Sequence, residues 1–326
     1  MMNIAQQAGL AITQVAMTLG IAQDRAQALA LDVITPQPEL IDWQGVKVPV
    51  AFVAPLAPDE SRNERLLVLL QRLLAQPCCP QQHDTVYLVL PEYAGSDNSE
   101  LNALLQMIMR RFPQLLQSAD CRVFPYGSAG ALMALAAAAA QLQQGAQNAV
   151  WLLAVDSMAS SAVLSHYAGT DSWNGVLSEG AVALCLTADG AGSRLVFSGS
   201  DASPLAKGTD DPAMAALFMQ VAAAVSQPLQ QLYLPDSGDD DATARWLGQY
   251  QHLHGAVQLT TEFVFPSYAT GELGACGGLY RLWHLMQAQK QGRLQGLTLQ
   301  CELSNRLYRA VAILTPAPAF SDNKEV

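Results

Sequence analysis

The chain has 326 residues, of which 51% are hydrophobic and 14% charged. That balance excludes an intrinsically disordered chain and supplies enough apolar side chains for a sizeable core. A formal net charge of −11 argues against a basic nucleic-acid-binding face, which needs clustered Lys and Arg.

In chain order, LAITQVAM (10–17) predicts a first strand, punctuated by Gly20 and followed by a helical pattern to about Ala30. VKVPVAFVAPL (46–56) mixes strand and loop. ESRNERLLVLLQRLLAQ (60–76) predicts an amphipathic helix, DTVYLVLPE (84–92) a largely apolar strand, and SELNALLQMIMRRF (99–112) a helix with Ser99 as its N-cap. Arg110 and Arg111 read as its solvated end. CRVFPYGSAGALMALAAAAAQLQQG (121–145) reads as a strand, a sharp turn and a helix of small residues. The apolar run Ala129–Ala140 is too short to cross a bilayer. AVWLLAVDS (149–157) and EGAVALCLT (179–187) are two further strands separated by a polar loop. They are near-continuously apolar, which predicts burial on both faces of a sheet.

The pattern then restarts. SRLVFSGSD (193–201) is a strand, PAMAALFMQVAAAVSQ (212–227) a small-residue helix, LQQLYLPDS (229–237) a strand and ATARWLGQYQ (242–251) a helix. LVLPE (88–92) and LYLPD (232–236) correspond at an offset of 144 residues, and VFPYG (123–127) and VFPSY (264–268) at 141. A Gly/Ala-rich helix with a Gln-Gly stop follows each. Each half closes on a strand pair, the second being 294–303 and 309–316. Two similar halves that alternate strand and helix predict a layered α/β structure.

Four stretches together resemble the thiolase-like superfamily, in its β-ketoacyl synthase branch. They are LAITQVAMTLG, SAGALMALAAAAAQLQQGAQNAVWLLAVDS, SEGAVALCLT and YATGELGACGGLYRL. The resemblance runs from about residue 10 to 316. It implies two pseudo-repeated βαβαβαββ halves in a five-layered αβαβα structure. Residues 1–190 would form the first half, 191–317 the second, and 318–326 a polar tail, all in one integrated domain. It also implies a cysteine at the helix start, activated by the positive helix end, that takes an acyl group from a thioester. Two His, or a His/Asn pair, from the second half would polarise the incoming carbonyl, with backbone N–H groups as an oxyanion hole.

This sequence departs from that pattern at each reactive point. Counting back from Gly130 places the nucleophile at Gly127, which has no side chain. The first His position falls near Asp236 to Gly238 and the second near Gly271, and none of the five histidines lies there. Ser128 could replace the nucleophile only with a base in reach, and its ordinary role at that position is N-cap. Cys276, in the first turn of the second-half helix, is a candidate thiolate or a small packed residue. Asp236 and Glu272 sit on loops that converge on the family's pocket, as candidate acid/base carboxylates or as helix caps. Tyr126 is expected to fill the vacated pocket, and Glu179 matches a family Glu that props the site through hydrogen bonds.

The sequence therefore reads as a degenerate β-ketoacyl-synthase-like protein without ordinary condensing activity. It would bind acyl groups or act as a partner subunit, with acyl carrier protein or acyl-CoA as associates. The alternative is an acyltransferase or thioester hydrolase with relocated residues. In the family, subunits pair through the strand before the nucleophile helix, here CRVFPYG, so a homodimer is expected, or a heterodimer with an active synthase. No cofactor or metal is expected: His252 and His254 lack a third ligand, and Asp239–Asp241 lacks cation-loop spacing. Six cysteines without a CxxC pair, and an N-terminus without a basic leader, predict a reducing cytoplasm.

Overall fold

The computed structural model describes residues 9–33, 36–55, 60–93, 97–118, 120–169, 175–204 and 210–317. The expected polar tail lies outside these residues.

Two sheets are built from the two parts of the chain. In the first, β1 (Leu10–Leu19), β4 (Val86–Val89), β5 (Arg122–Phe124), β6 (Ala149–Ser157) and β7 (Leu177–Ala188) run across in the order β5-β4-β6-β7-β1. In the second, β8 (Arg194–Ala202), β9 (Gln231–Tyr233), β10 (Glu262–Val264), β11 (Thr298–Leu303) and β12 (Tyr308–Thr315) follow the order β10-β9-β11-β12-β8. Element for element, these are the same arrangement. The first sheet is extended by a hairpin, β2 (Glu39–Trp43) and β3 (Val46–Ala51), with β3 parallel to the start of β7 at Val50–Leu177.

Helices separate and cover the sheets. α4 (Ala129–Gln143) and α9 (Ala275–Lys290) lie between them. Their small residues let the backbones approach: a Cβ on Gly278 would stand 2.5 Å from the Ser128 carbonyl oxygen and 2.6 Å from the Ala131 Cβ. Ala134, Leu135, Leu282 and Leu285 complete this central layer, fully buried with residues of both sheets. α2 (Arg62–Leu74) and α3 (Ser99–Arg111) cover the outer face of the first sheet through Leu66, Leu70, Leu104 and Ile108. α6 (Pro212–Ala224) and α7 (Asp240–Gln249) cover the second through Met214, Phe218 and Trp246. The layers are thus αβαβα, and β6, β7, β11 and β12 are buried on both faces.

Local details differ from the sequence expectation. α3 starts after Asn98, whose φ of 54° places it in the left-handed region, and Ser99 is the first helical residue rather than the cap. The segment read as a polar loop contains α5 (Ser161–Ala168), capped by the Ser160 hydroxyl. α1 (Arg25–Ala30) is capped by Asp24, and α8 (Ser267–Thr270) is a single turn before α9.

Candidate active-site cleft

The turn between β5 and α4 meets the second half of the molecule at Gly127. Gly127 has φ +59°, a left-handed conformation that a residue with a Cβ rarely adopts. Its N–H donates to the Leu90 carbonyl at 3.1 Å, so this donor is committed to the backbone. A Cβ at Gly127 would lie 2.9 Å from the Ser304 Oγ and 3.1 Å from the Ser304 Cβ. Ser304, following β11, therefore occupies the space beside the empty position. Its hydroxyl donates to the Tyr126 carbonyl and accepts from the Ala129 N–H at 3.2 Å.

This corrects two expectations. The Ser128 side chain makes no cap bond; its hydroxyl donates across the interface to the Leu303 carbonyl at 2.8 Å. Tyr126 does not fill the space beside Gly127: it packs against Tyr308, with ring centroids 4.6 Å apart, and Ser304 takes that space instead.

The loops after β9 and β10 supply the opposite wall. The Ser237 hydroxyl donates to Glu272 Oε2 at 2.7 Å, and the Gly274 N–H donates to Glu272 Oε1 at 2.8 Å. Burial pushes the Glu272 carboxyl above the usual carboxylate range, Asp156 adds to this, and Arg281 opposes it. The neighbouring Gly271 is closed in by the segment leading into β7: a Cβ there would lie 2.7 Å from the Val176 carbonyl oxygen. The reaching side chain at this corner is thus that of Glu272. Asp236 accepts from the Gly238 N–H at 3.0 Å, from Tyr268 at 3.2 Å and from Thr243 at 2.7 Å. It is 5% exposed and fastens its loop to α7 and α8, leaving Ser237 on the cavity wall. Cys276 has no exposed surface, and its thiol donates to the Gly180 carbonyl at 2.9 Å. Burial pushes that thiol well above its ordinary pKa, and of the two readings of Cys276 the geometry is that of the small packed residue.

Asp156, at the end of β6, joins the two halves. Its Oδ1 accepts from Arg62 at 2.7 Å and its Oδ2 from the Ala275 N–H at 2.8 Å. Glu179 lies behind it and accepts from Arg65 Nε at 2.6 Å, Ser157 at 2.6 Å and the Val53 N–H at 2.7 Å. In front are a cavity of about 80 Å³, which Arg62, Glu92, Gly127 and Ser304 help to line, and one of about 480 Å³, lined in part by Pro235, Ser237, Arg245 and Arg281. Ser128, Met158, Val163, Glu272 and Asn305 line both, so the two form one cleft between the halves. His166 reaches only the wider part, and His284 is elsewhere, bonded to Tyr233 and Asp32. Among the described residues, no group of three or more His, Cys, Asp or Glu could hold a metal ion. No helix among them is long and apolar enough to cross a membrane.

The sequence reading reached Glu272 and missed Ser237, Ser304, Asp156 and Arg62. Position alone could have flagged Ser237, since it follows LYLPD where the resemblance places the first His.

No protein-family model matches the sequence, and no curated protein matches it. Solved structures do. The oxazolomycin ketosynthase domain OzmH KS7 of Streptomyces albus JA3453 superposes with a TM-score of 0.69 at 12% identity, over 95% of this chain and 74% of that one. The chain has the thiolase-like ketosynthase fold. The ishigamide ketosynthase/chain length factor is similar at a TM-score of 0.63 and 14% identity, over 95% of this chain and 100% of that one. A structure of a type II polyketide acyl carrier protein in complex with its ketosynthase gives a TM-score of 0.60 at 11% identity, over 95% and 99% of the chains. Within this fold, Gly127 stands in the turn between β5 and α4, and the cleft carries Ser237 and Glu272 opposite it.

Proposed function

We propose that this chain is a ketosynthase-like protein that does not carry out the ordinary condensation and acts as an acyl- or carrier-associated partner subunit. The observation that carries this reading is the turn between β5 and α4. Gly127 offers no nucleophile, Ser304 stands in the side-chain space, and the Gly127 N–H is bonded to Leu90. Covalent acyl transfer needs a side-chain nucleophile with a base in reach, and an oxyanion needs free donors. With acyl and malonyl thioesters on carrier protein or CoA, no 3-oxoacyl product is expected above background by mass spectrometry. An active ketosynthase assayed alongside provides the comparison. Formation of the condensed product would overturn the reading.

The partner role is supported by the position of β5, an edge strand in the order β5-β4-β6-β7. The Phe124 carbonyl accepts from the Leu90 N–H toward β4 at 3.0 Å, so alternation points the Val123 N–H and carbonyl outward. Pairing of this edge with the same edge of a second chain would remove it from water. Light scattering is expected to give twice the mass of one chain, with the heterodimer as the alternative. Val123→Pro removes the outward N–H and none of the bonds to β4, and proline is tolerated at such edges. The variant is expected to be folded and to run as a monomer; an unchanged dimer mass would place the interface elsewhere.

A further inference from the structure

Among the described residues, three serine hydroxyls line the cleft, and they are not equivalent. Ser128 donates to the Leu303 carbonyl and Ser304 to the Tyr126 carbonyl, so both are tied to backbone oxygens that accept no proton at neutral pH. Ser237 donates at 2.7 Å to a carboxylate, Glu272, whose other oxygen is fixed by the Gly274 N–H. We propose that Ser237 and Glu272 form a nucleophile–base pair that hydrolyses acyl esters or thioesters.

The surroundings supply the remaining requirements. Glu272 is held by two donors from separate segments, so its orientation is set before any ligand arrives. Among the described residues, the charged groups facing it are Arg281 of α9 and Asp156 of β6. The Asp156 charge is shared with Arg62 and the Ala275 N–H. The Arg281 guanidinium lines the same 480 Å³ cavity as Ser237. Its Nε and Nη2 form an ion pair with the buried Glu302 carboxylate and its Nη1 donates to Ser267, so the Glu302 carboxylate balances its charge and two further N–H groups are left as donors for a developing oxyanion. Met158, Val163, Pro235 and Leu303 provide an apolar wall for an acyl chain.

In the first step, Ser237 Oγ bonds to the carbonyl carbon and its proton passes to Glu272. Collapse breaks the carbon–sulfur bond of a thioester, and the leaving thiolate takes that proton. Water then attacks the acyl-serine ester, giving its proton to Glu272. Collapse breaks the ester bond, and the proton returns to Ser237. The sum is thioester plus water giving carboxylic acid plus thiol. The base form of Glu272 is required, so the rate rises with pH through a value above the usual carboxylate range.

The test uses the full chain with a fluorophosphonate probe and with short-chain acyl N-acetylcysteamine thioesters. One label per chain is expected, placed on Ser237 by peptide mass spectrometry, with labelling rising with pH as described. Ser237→Ala is expected to lose the label and thioester turnover. Glu272→Gln is expected to slow labelling at least tenfold, with Glu272→Asp retaining part of it; circular dichroism confirms that each is folded. No label on the wild-type chain, or equal labelling of Glu272→Gln, would show that the bond only ties two loops, and would overturn the proposal. That failure leaves the partner reading intact, whereas a condensed 3-oxoacyl product would overturn the partner reading alone.

Discussion

Glu179→Ala is expected to lower the unfolding free energy by about 3–5 kcal/mol, the usual consequence of removing one partner of a buried ion pair. Glu179 and Arg65 are 0% and 3% exposed. The carboxylate accepts from Arg65 Nε at 2.6 Å and Nη2 at 2.8 Å, from the Ser157 hydroxyl and from the Val53 N–H. It therefore holds four parts of the first half together: β7, the end of β6, α2 and the segment leaving β3. Without it, Arg65 keeps Glu60 and two backbone carbonyls but loses the partner that shields its charge on the inner side. Replacing both residues by apolar ones of similar volume should cost much less than the single change, because no unpaired charge remains. Urea unfolding read as a change in midpoint at constant slope measures both. A loss below about 1 kcal/mol for Glu179→Ala would mean that water enters and replaces the carboxylate.

The repeated halves were legible because each element in them carries its own local signal. The offsets of 144 and 141 residues fell on β4 and β9 and on β5 and β10, which hold equivalent places in the two sheets. The start of α2 was equally local: Ser61 and Glu64 cap one another's backbone N–H groups. What stayed hidden lacked such a signal. β2, with its exposed Leu40, was not read at all, and β3 only as a mixture of strand and loop, because Val46 is exposed and position 49 is a Pro. In α5 only Leu164 and Tyr167 are buried, too few to set a helical period.

The cleft was less legible, since its bonds join residues distant in the chain. Ser128 and the Leu303 carbonyl are 175 positions apart, and the Ala275 N–H and Asp156 are 119 apart. No spacing rule predicts such pairs. Glu272 was found because family position pointed near it. Its partner Ser237 was not, because a serine in a loop has many ordinary uses. The local roles offered for the two helix starts, a side-chain cap and a thiolate, are displaced for one reason. Both Ser128 and Cys276 face the opposing half of the molecule, where tertiary bonds to Leu303 and Gly180 override the local role their position suggested.

Gly274→Ala is expected to be the most damaging small substitution in the cleft. Its φ and ψ are 56° and −130°, a conformation that residues with a Cβ adopt at a cost of about 1–3 kcal/mol. Strain is only part of the effect. The added Cβ would stand 2.1 Å from Asp156 Oδ2 and 2.6 Å from the Met158 Cε. Met158 is the end of a flexible side chain and can yield. Asp156 cannot move freely, because Arg62 and the Ala275 N–H hold it at 2.7 and 2.8 Å. Displacing it leaves a buried N–H and a partly buried guanidinium short of an acceptor, at about 1–3 kcal/mol for each unsatisfied group. Gly145→Ala is the matched control. Gly145 also has positive φ, +66°, but a Cβ there meets nothing within 4 Å, so it reports backbone strain alone. Urea midpoints are expected to place Gly145→Ala about 1–2 kcal/mol below the unsubstituted chain, and Gly274→Ala at least about 2 kcal/mol lower still. The Gly274 N–H also fixes Glu272, so the same substitution should reduce probe labelling at Ser237 even at temperatures where the chain is folded. Equal losses for the two glycines would mean that the turn shifts away from β6 as a unit, and that Asp156 does not fix the second half's loop against the first.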